Sequence, residues 1–99
     1  MKVLVETKEV EIEGFLSLLG QNVEIFCGIY IYAGKLIGVN DSCVKLANPH
    51  IVYETGGFLD EEYKDAQYME RDFQYIAIPF IESYGITDKL WKKLGIKIL

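Results

Sequence analysis

Residues 23–46 carry the feature that most limits how this chain folds: a long strand-like alternation, interrupted at positions that favour bending over a flat sheet. Val23, Ile25 and Cys27 alternate with Glu24 and Phe26, and Ile29, Ile31 and Ala33 alternate with Tyr30 and Tyr32. Such period-two alternation predicts extended chain. Gly28 separates the two runs and marks a turn or a bulge. Gly34 sits inside the second run, which Leu36, Ile37 and Val39 continue. A glycine there has no side chain to pack and marks a sharp bend, of the kind that strands closing into small barrels need. Asn40-Asp41-Ser42 then supplies turn chemistry, because these side chains bond nearby backbone. Residues 29–39 and 43–48 are therefore expected to be antiparallel neighbours.

The flanking segments are simpler. Val10 and Ile12, alternating with Glu9, Glu11 and Glu13, read as extended chain. Phe15–Gly20 suits one or two helical turns with Gly20 as the stop. Asn48-Pro49 is expected to turn the chain, and Ile51–Thr55 to form a further strand closed by Gly56-Gly57. Residues 57–72 lose the alternation and read as a short helix or an ordered excursion. Phe73, Tyr75, Ala77 and Ile78 resume a strand. Pro79 cannot donate to a ladder and belongs at a bulge, an edge or a tight turn. Phe80–Tyr84 reads as the last strand. Thr87 is a good N-cap for a short C-terminal helix with Leu90, Trp91 and Leu94 on its apolar side and Gly95 at its end.

Length and composition narrow the function. Ninety-nine residues suit one domain, here taken as 1–99, and 51% apolar residues exclude a disordered chain. No basic start leads into an apolar run, and no apolar stretch approaches the roughly 20 residues of a membrane span. A cytoplasmic protein that makes no membrane contact is expected. Cys27 and Cys43 form no CxxC pair and read as small apolar residues. The net charge of −5 is local in origin: six of the fifteen acids lie between Asp60 and Asp72, with only two of the ten bases. The remainder is close to neutral, which leaves room for a basic surface elsewhere. No GxSxG, phosphate-loop or HExxH pattern is present. His50, the one histidine, has no acid or cysteine at ligand spacing and reads as a loop residue. Neither an enzyme nor a cofactor is expected.

A short helix followed by strongly bent antiparallel strands is the plan of a small SH3-like barrel, and the order resembles the Sm and Sm-like (LSm) family. Leu18-Leu19-Gly20-Gln21-Asn22-Val23-Glu24-Ile25 is similar to that family's helix end and first strand. Tyr32-Ala33-Gly34-Lys35-Leu36 and the following apolar-Asn-Asp turn are similar to its bent second strand and the loop after it. The resemblance covers residues 15–55, while 73–84 match in position and apolarity. It implies a mainly β, five-stranded barrel with an N-terminal helix, an insertion at 57–72 and a C-terminal helix. It also implies a closed homo-oligomeric ring, with residues 51–55 of one copy pairing with 73–78 of the next.

In that family two pore loops hold RNA, one carrying Asp-x-x-Met-Asn and the other Arg-Gly. Aligned so that Val44 and Leu46 stay inward, Asp41 matches the aspartate and Lys45 replaces the base-reading asparagine. Counting from Gly34 instead would place the family's aspartate at Asn40. Ile78-Pro79 or Pro79-Phe80 stands where Arg-Gly would be. The implied function is noncatalytic binding of single-stranded RNA or DNA through Asn40, Asp41, Ser42, Lys45, Pro79 and Phe80, with the family's uridine pocket altered. For each residue a plainer role is open: a tight turn for 40–42, an outward strand position for Lys45, the core for Phe80. The alternative function is a structural or protein-interaction ring that works through the acidic segment 60–72.

Overall fold

The computed structural model describes residues 13–89. It is mainly β: six antiparallel strands in one sheet, with two short 3-10 helices. The strands are β1 (Asn22–Cys27), β2 (Tyr30–Val39), β3 (Cys43–Glu54), β4 (Asp65–Tyr68), β5 (Phe73–Ala77) and β6 (Ser83–Ile86). β1, β2 and β3 form a meander. β6 returns to pair with the free side of β1, Val23 opposite Ile86 and Phe26 opposite Ser83. β3 is shared along its length. Its first half, 43–47, pairs with β5, and its second half, from His50 to Glu54, pairs with β4.

Side-chain alternation gives the sheet one large apolar face. Val23 and Ile25 on β1, Leu36 on β2, Val44 and Leu46 on β3 and Ile76 on β5 form a single core, with Phe15, Leu18 and Ile81 packed around it. The expected inward register of Val44 and Leu46 is the one found. Ala33 and Val52 lie on the opposite face and form a second cluster with Tyr63 and Ala66. The ladder between β2 and β3 shifts between Ala33 and Lys35 and again between Leu36 and Gly38. Bulges of this kind bend a sheet and raise its twist. Gly34 sits at the first shift because the chains touch there: a Cβ on it would meet the Ala47 carbonyl oxygen at 2.9 Å. The glycine expected to interrupt the strand thus lies at an irregularity of the ladder, opposite the extra residue of β3.

Several expectations are corrected. Asn48-Pro49 does not turn the chain, and 51–55 is not a separate strand; β3 runs through both residues. Asn48 adopts φ 51°, and the missing Pro49 donor falls at the bulge, where the ladder asks nothing of it. The Pro49 carbonyl instead accepts from Met69 N at 2.9 Å. The N-terminal helix is a 3-10 helix, Gly14–Leu18. Residues 57–72 contain no helix; Tyr63 is buried to 1% exposure, and β4 adds a sixth strand. The last strand begins at Ser83, because Pro79 lies in a 3-10 turn, Ile78–Phe80. The extended segment before Glu13 and the helix expected beyond Lys89 lie outside the described residues.

His50 is also corrected, from a loop to a fully buried position on β3. Its Nδ1 donates to the Asn48 carbonyl oxygen at 2.8 Å, and its ring lies 5.3 Å from that of Tyr68. Burial pushes the imidazole below its ordinary value of 6.5, and the Asn48 contact offsets part of this. The unfolded chain therefore takes a proton near 6.5 that the folded chain refuses. Stability is expected to hold above that value and to fall as the pH drops from it towards the lower folded value. Urea midpoints measured between about pH 7.5 and about pH 5 for the natural chain and His50→Gln check this. The substitution should flatten that part of the decline. Parallel curves would refute it.

Candidate nucleic-acid interface

The β2–β3 turn is built by Asn40. Its Oδ1 accepts from Ser42 N at 2.7 Å and Cys43 N at 2.9 Å, and its own N–H donates to the Cys43 carbonyl at 3.0 Å. The side chain is thereby committed to the turn, while Asp41 and Ser42 are exposed beside it. The 3-10 turn after β5 arrives at the same place. Ile78 N donates to the Ser42 carbonyl at 2.9 Å. The two loops that the resemblance pairs in function are therefore bonded to each other. Pro79 is exposed, and Phe80, open to solvent at 73%, is not a core residue.

Lys45 stands apart from this loop pair, on the face of β3 opposite the main core. It faces Tyr75 on β5, and the neighbouring pair is Ala47 and Phe73. Its Nζ lies 4.1 Å from the Phe73 ring centroid and 5.5 Å from that of Tyr75. Both rings are open to solvent, Phe73 at 45% and Tyr75 at 59%. Opposite residues of a ladder share a face. Asn22, Lys35, Ala47 and Phe73 thus form one row, and Gly38, Lys45 and Tyr75 the next. Neither row contains an acid. An acidic chain therefore presents a cationic, aromatic strip whose ammonium is held by the ring faces.

Phe73 and Tyr75 are the functional candidates that sequence reasoning missed. It took them as strand residues, and only the register that places Lys45 between them reveals the cluster. Tyr30 and Tyr32 are neighbours on β2 with ring centroids 6.2 Å apart, and Tyr32 packs against the main core.

The described residues offer little to other chemistries. No group of three or more His, Cys, Asp or Glu side chains among them could hold a metal ion. Cys27 is half-buried; burial first and the Glu82 carboxylate second push its thiol up, away from the reactive thiolate. No helix among them is long and apolar enough to cross a membrane. Compared with family models, curated proteins and solved structures, the chain matches none.

Proposed function

We propose that this chain is an Sm-like protein: a small, strongly bent SH3-like barrel that forms a closed ring of identical copies and binds single-stranded nucleic acid, most simply RNA, without catalysis or cofactor. The observation that carries the reading is Lys45 held between two exposed rings on an acid-free strip. Single strands are gripped by bases stacked on aromatics beside positive charge. Bases stack on Phe73 and Tyr75, and phosphates meet Lys45 and Lys35. Asp41, Ser42, Pro79 and Phe80 extend the surface at one end. Asn40 serves the turn.

Strand order supports the barrel. A short helix precedes a three-strand meander, and a 3-10 turn links β5 to a last strand that returns to β1. The excursion with β4 is then an insertion, and the family's fourth and fifth strands correspond to 73–77 and 83–86. This moves the ring seam. Residues 51–54 already ladder with β4, and Ile51 also faces Tyr32. Among the described residues, β5 ladders only with β3 and β6 only with β1. The outer edge of β5 in one copy pairs with the outer edge of β6 in the next. An open edge of this kind is a template for another chain, and a head-to-tail contact closes into a ring when its rotation divides the circle and otherwise runs on as a filament.

Titration of labelled oligouridine and oligoadenine at two salt concentrations, with light scattering on the same sample, tests both parts. A closed oligomer is expected, with binding at low salt that weakens steeply as salt rises. A monomer defeats the ring. Absence of binding at low salt defeats the nucleic-acid reading and leaves the interaction module built on the acidic segment.

A further inference from the structure

A groove of about 800 Å³ opens on the side of the molecule where the excursion leaves β3, between residues 55–61 and the strands β1, β2 and β6. This is the size of a cavity that takes up a sizeable ligand. Phe26, Ile31 and Ile86 line it, and Phe58 and Leu59 overhang it almost wholly exposed. Its polar lining includes four acids, Glu24, Asp60, Glu61 and Asp88, with Lys89 the only base among the lining residues described. An apolar groove ringed by carboxylates fits a partner that is both apolar and basic.

The chain carries such a segment at the groove's own edge. Residues 90–99, LWKKLGIKIL, contain six apolar side chains, three lysines and no acid. Lys89, which precedes them, is already fixed to the groove wall: its Nζ donates to the Gly57 carbonyl at 2.7 Å and to the Asp60 carbonyl at 2.9 Å. Ten residues reach at most about 35 Å when extended, and a tether that short gives the groove a high effective concentration of its occupant. We infer that the groove is the seat of this chain's own residues 90–99. Such a segment brings apolar side chains to a groove lined by Phe26, Phe58 and Ile86 and lysines to its acidic rim. The assignment stands independently of nucleic-acid binding.

Trp91, the chain's single tryptophan, reports on it directly. In the full chain its emission should be blue-shifted from that of free tryptophan, shielded from acrylamide and unchanged on dilution. Phe58→Asp with Leu59→Asp should move the emission to the solvent-exposed position and raise quenching several-fold. Both residues are exposed, so the fold, followed by circular dichroism, should survive. Lys92→Glu with Lys93→Glu should move it the same way, and high salt should weaken the natural contact. Solvent-like emission in the natural chain would overturn the assignment, as would indifference to either double substitution. A blue shift lost on dilution would overturn it too, because the segment would then sit in another copy.

Discussion

Replacing Tyr63 with alanine is expected to destabilise the fold by about 3–5 kcal/mol, the usual cost of removing a buried aromatic side chain. Tyr63 fills the space between the excursion and the back of the sheet, against Ala33, Val52 and Ala66. Its hydroxyl donates to Thr87 Oγ1 at 2.9 Å, tying the excursion to the chain just beyond β6, and both groups are buried. Two of its three buried neighbours in that cluster are alanines, too small to fill the hole. Small domains have total stabilities of about 5–15 kcal/mol, so this one side chain accounts for a large share. Tyr63→Phe should keep the packing and cost only about 0.5–1.5 kcal/mol, the net worth of one hydrogen bond, because Thr87 Oγ1 still accepts from Lys89 N at 3.2 Å. Urea denaturation of the three proteins separates packing from hydrogen bonding. A loss under about 1 kcal/mol for Tyr63→Ala would show that the excursion is not anchored there.

Joint replacement of Phe73 and Tyr75 by alanine should abolish measurable binding of single-stranded oligonucleotides while leaving the fold intact. Stacking of one base on one aromatic contributes about 1–3 kcal/mol, and each 1.4 kcal/mol is tenfold in affinity. Each single substitution should therefore weaken binding by about 5- to 150-fold, and the pair by more than either. Both rings are substantially exposed, so little core packing is lost. The direct structural cost is the cation–π contact to Lys45, about 0.5–1 kcal/mol at a surface site. Lys45→Ala should behave differently. Loss of one phosphate contact weakens binding to all sequences alike and lowers the salt dependence by about one unit of slope. Unchanged affinity in a folded double variant would remove the strip from the binding surface.

The parts of the fold that the sequence disclosed were those written in alternation. Val23 and Ile25, Leu36, Val44 and Leu46 declare their inward face by period, and Gly34 and Asn40 declare a ladder irregularity and a turn by chemistry. The errors fell where tertiary context overrules a local rule. Asn48-Pro49 reads as a turn because both residues favour one. Yet a register shift against β2 and a change of ladder partner from β5 to β4 coincide there, and β3 absorbs the irregularity as a bulge. His50 follows that pair, so its burial was hidden by the same misreading. Tyr63 was masked by the charged residues around it, which keep the excursion wet on one side while its ring and Ala66 are buried on the other. The site divides similarly. The resemblance named residues 40–42 and 78–80 as loops of one surface, whereas Phe73 and Tyr75 join Lys45 only through long-range register.

The irregularity at Asn48 and Pro49 also partitions how the molecule breathes. On one side of it the ribbon is laced to β5, and on the other to β4. The β4 flap, with the loop that Tyr63 pins, and the β5 ladder hold different stretches of β3, and local openings of such units are expected to differ in free energy. Proteolytic nicking or sequence drift in the outer loop would then alter what the molecule displays well before it loosens the strip on which Lys45, Phe73 and Tyr75 stand.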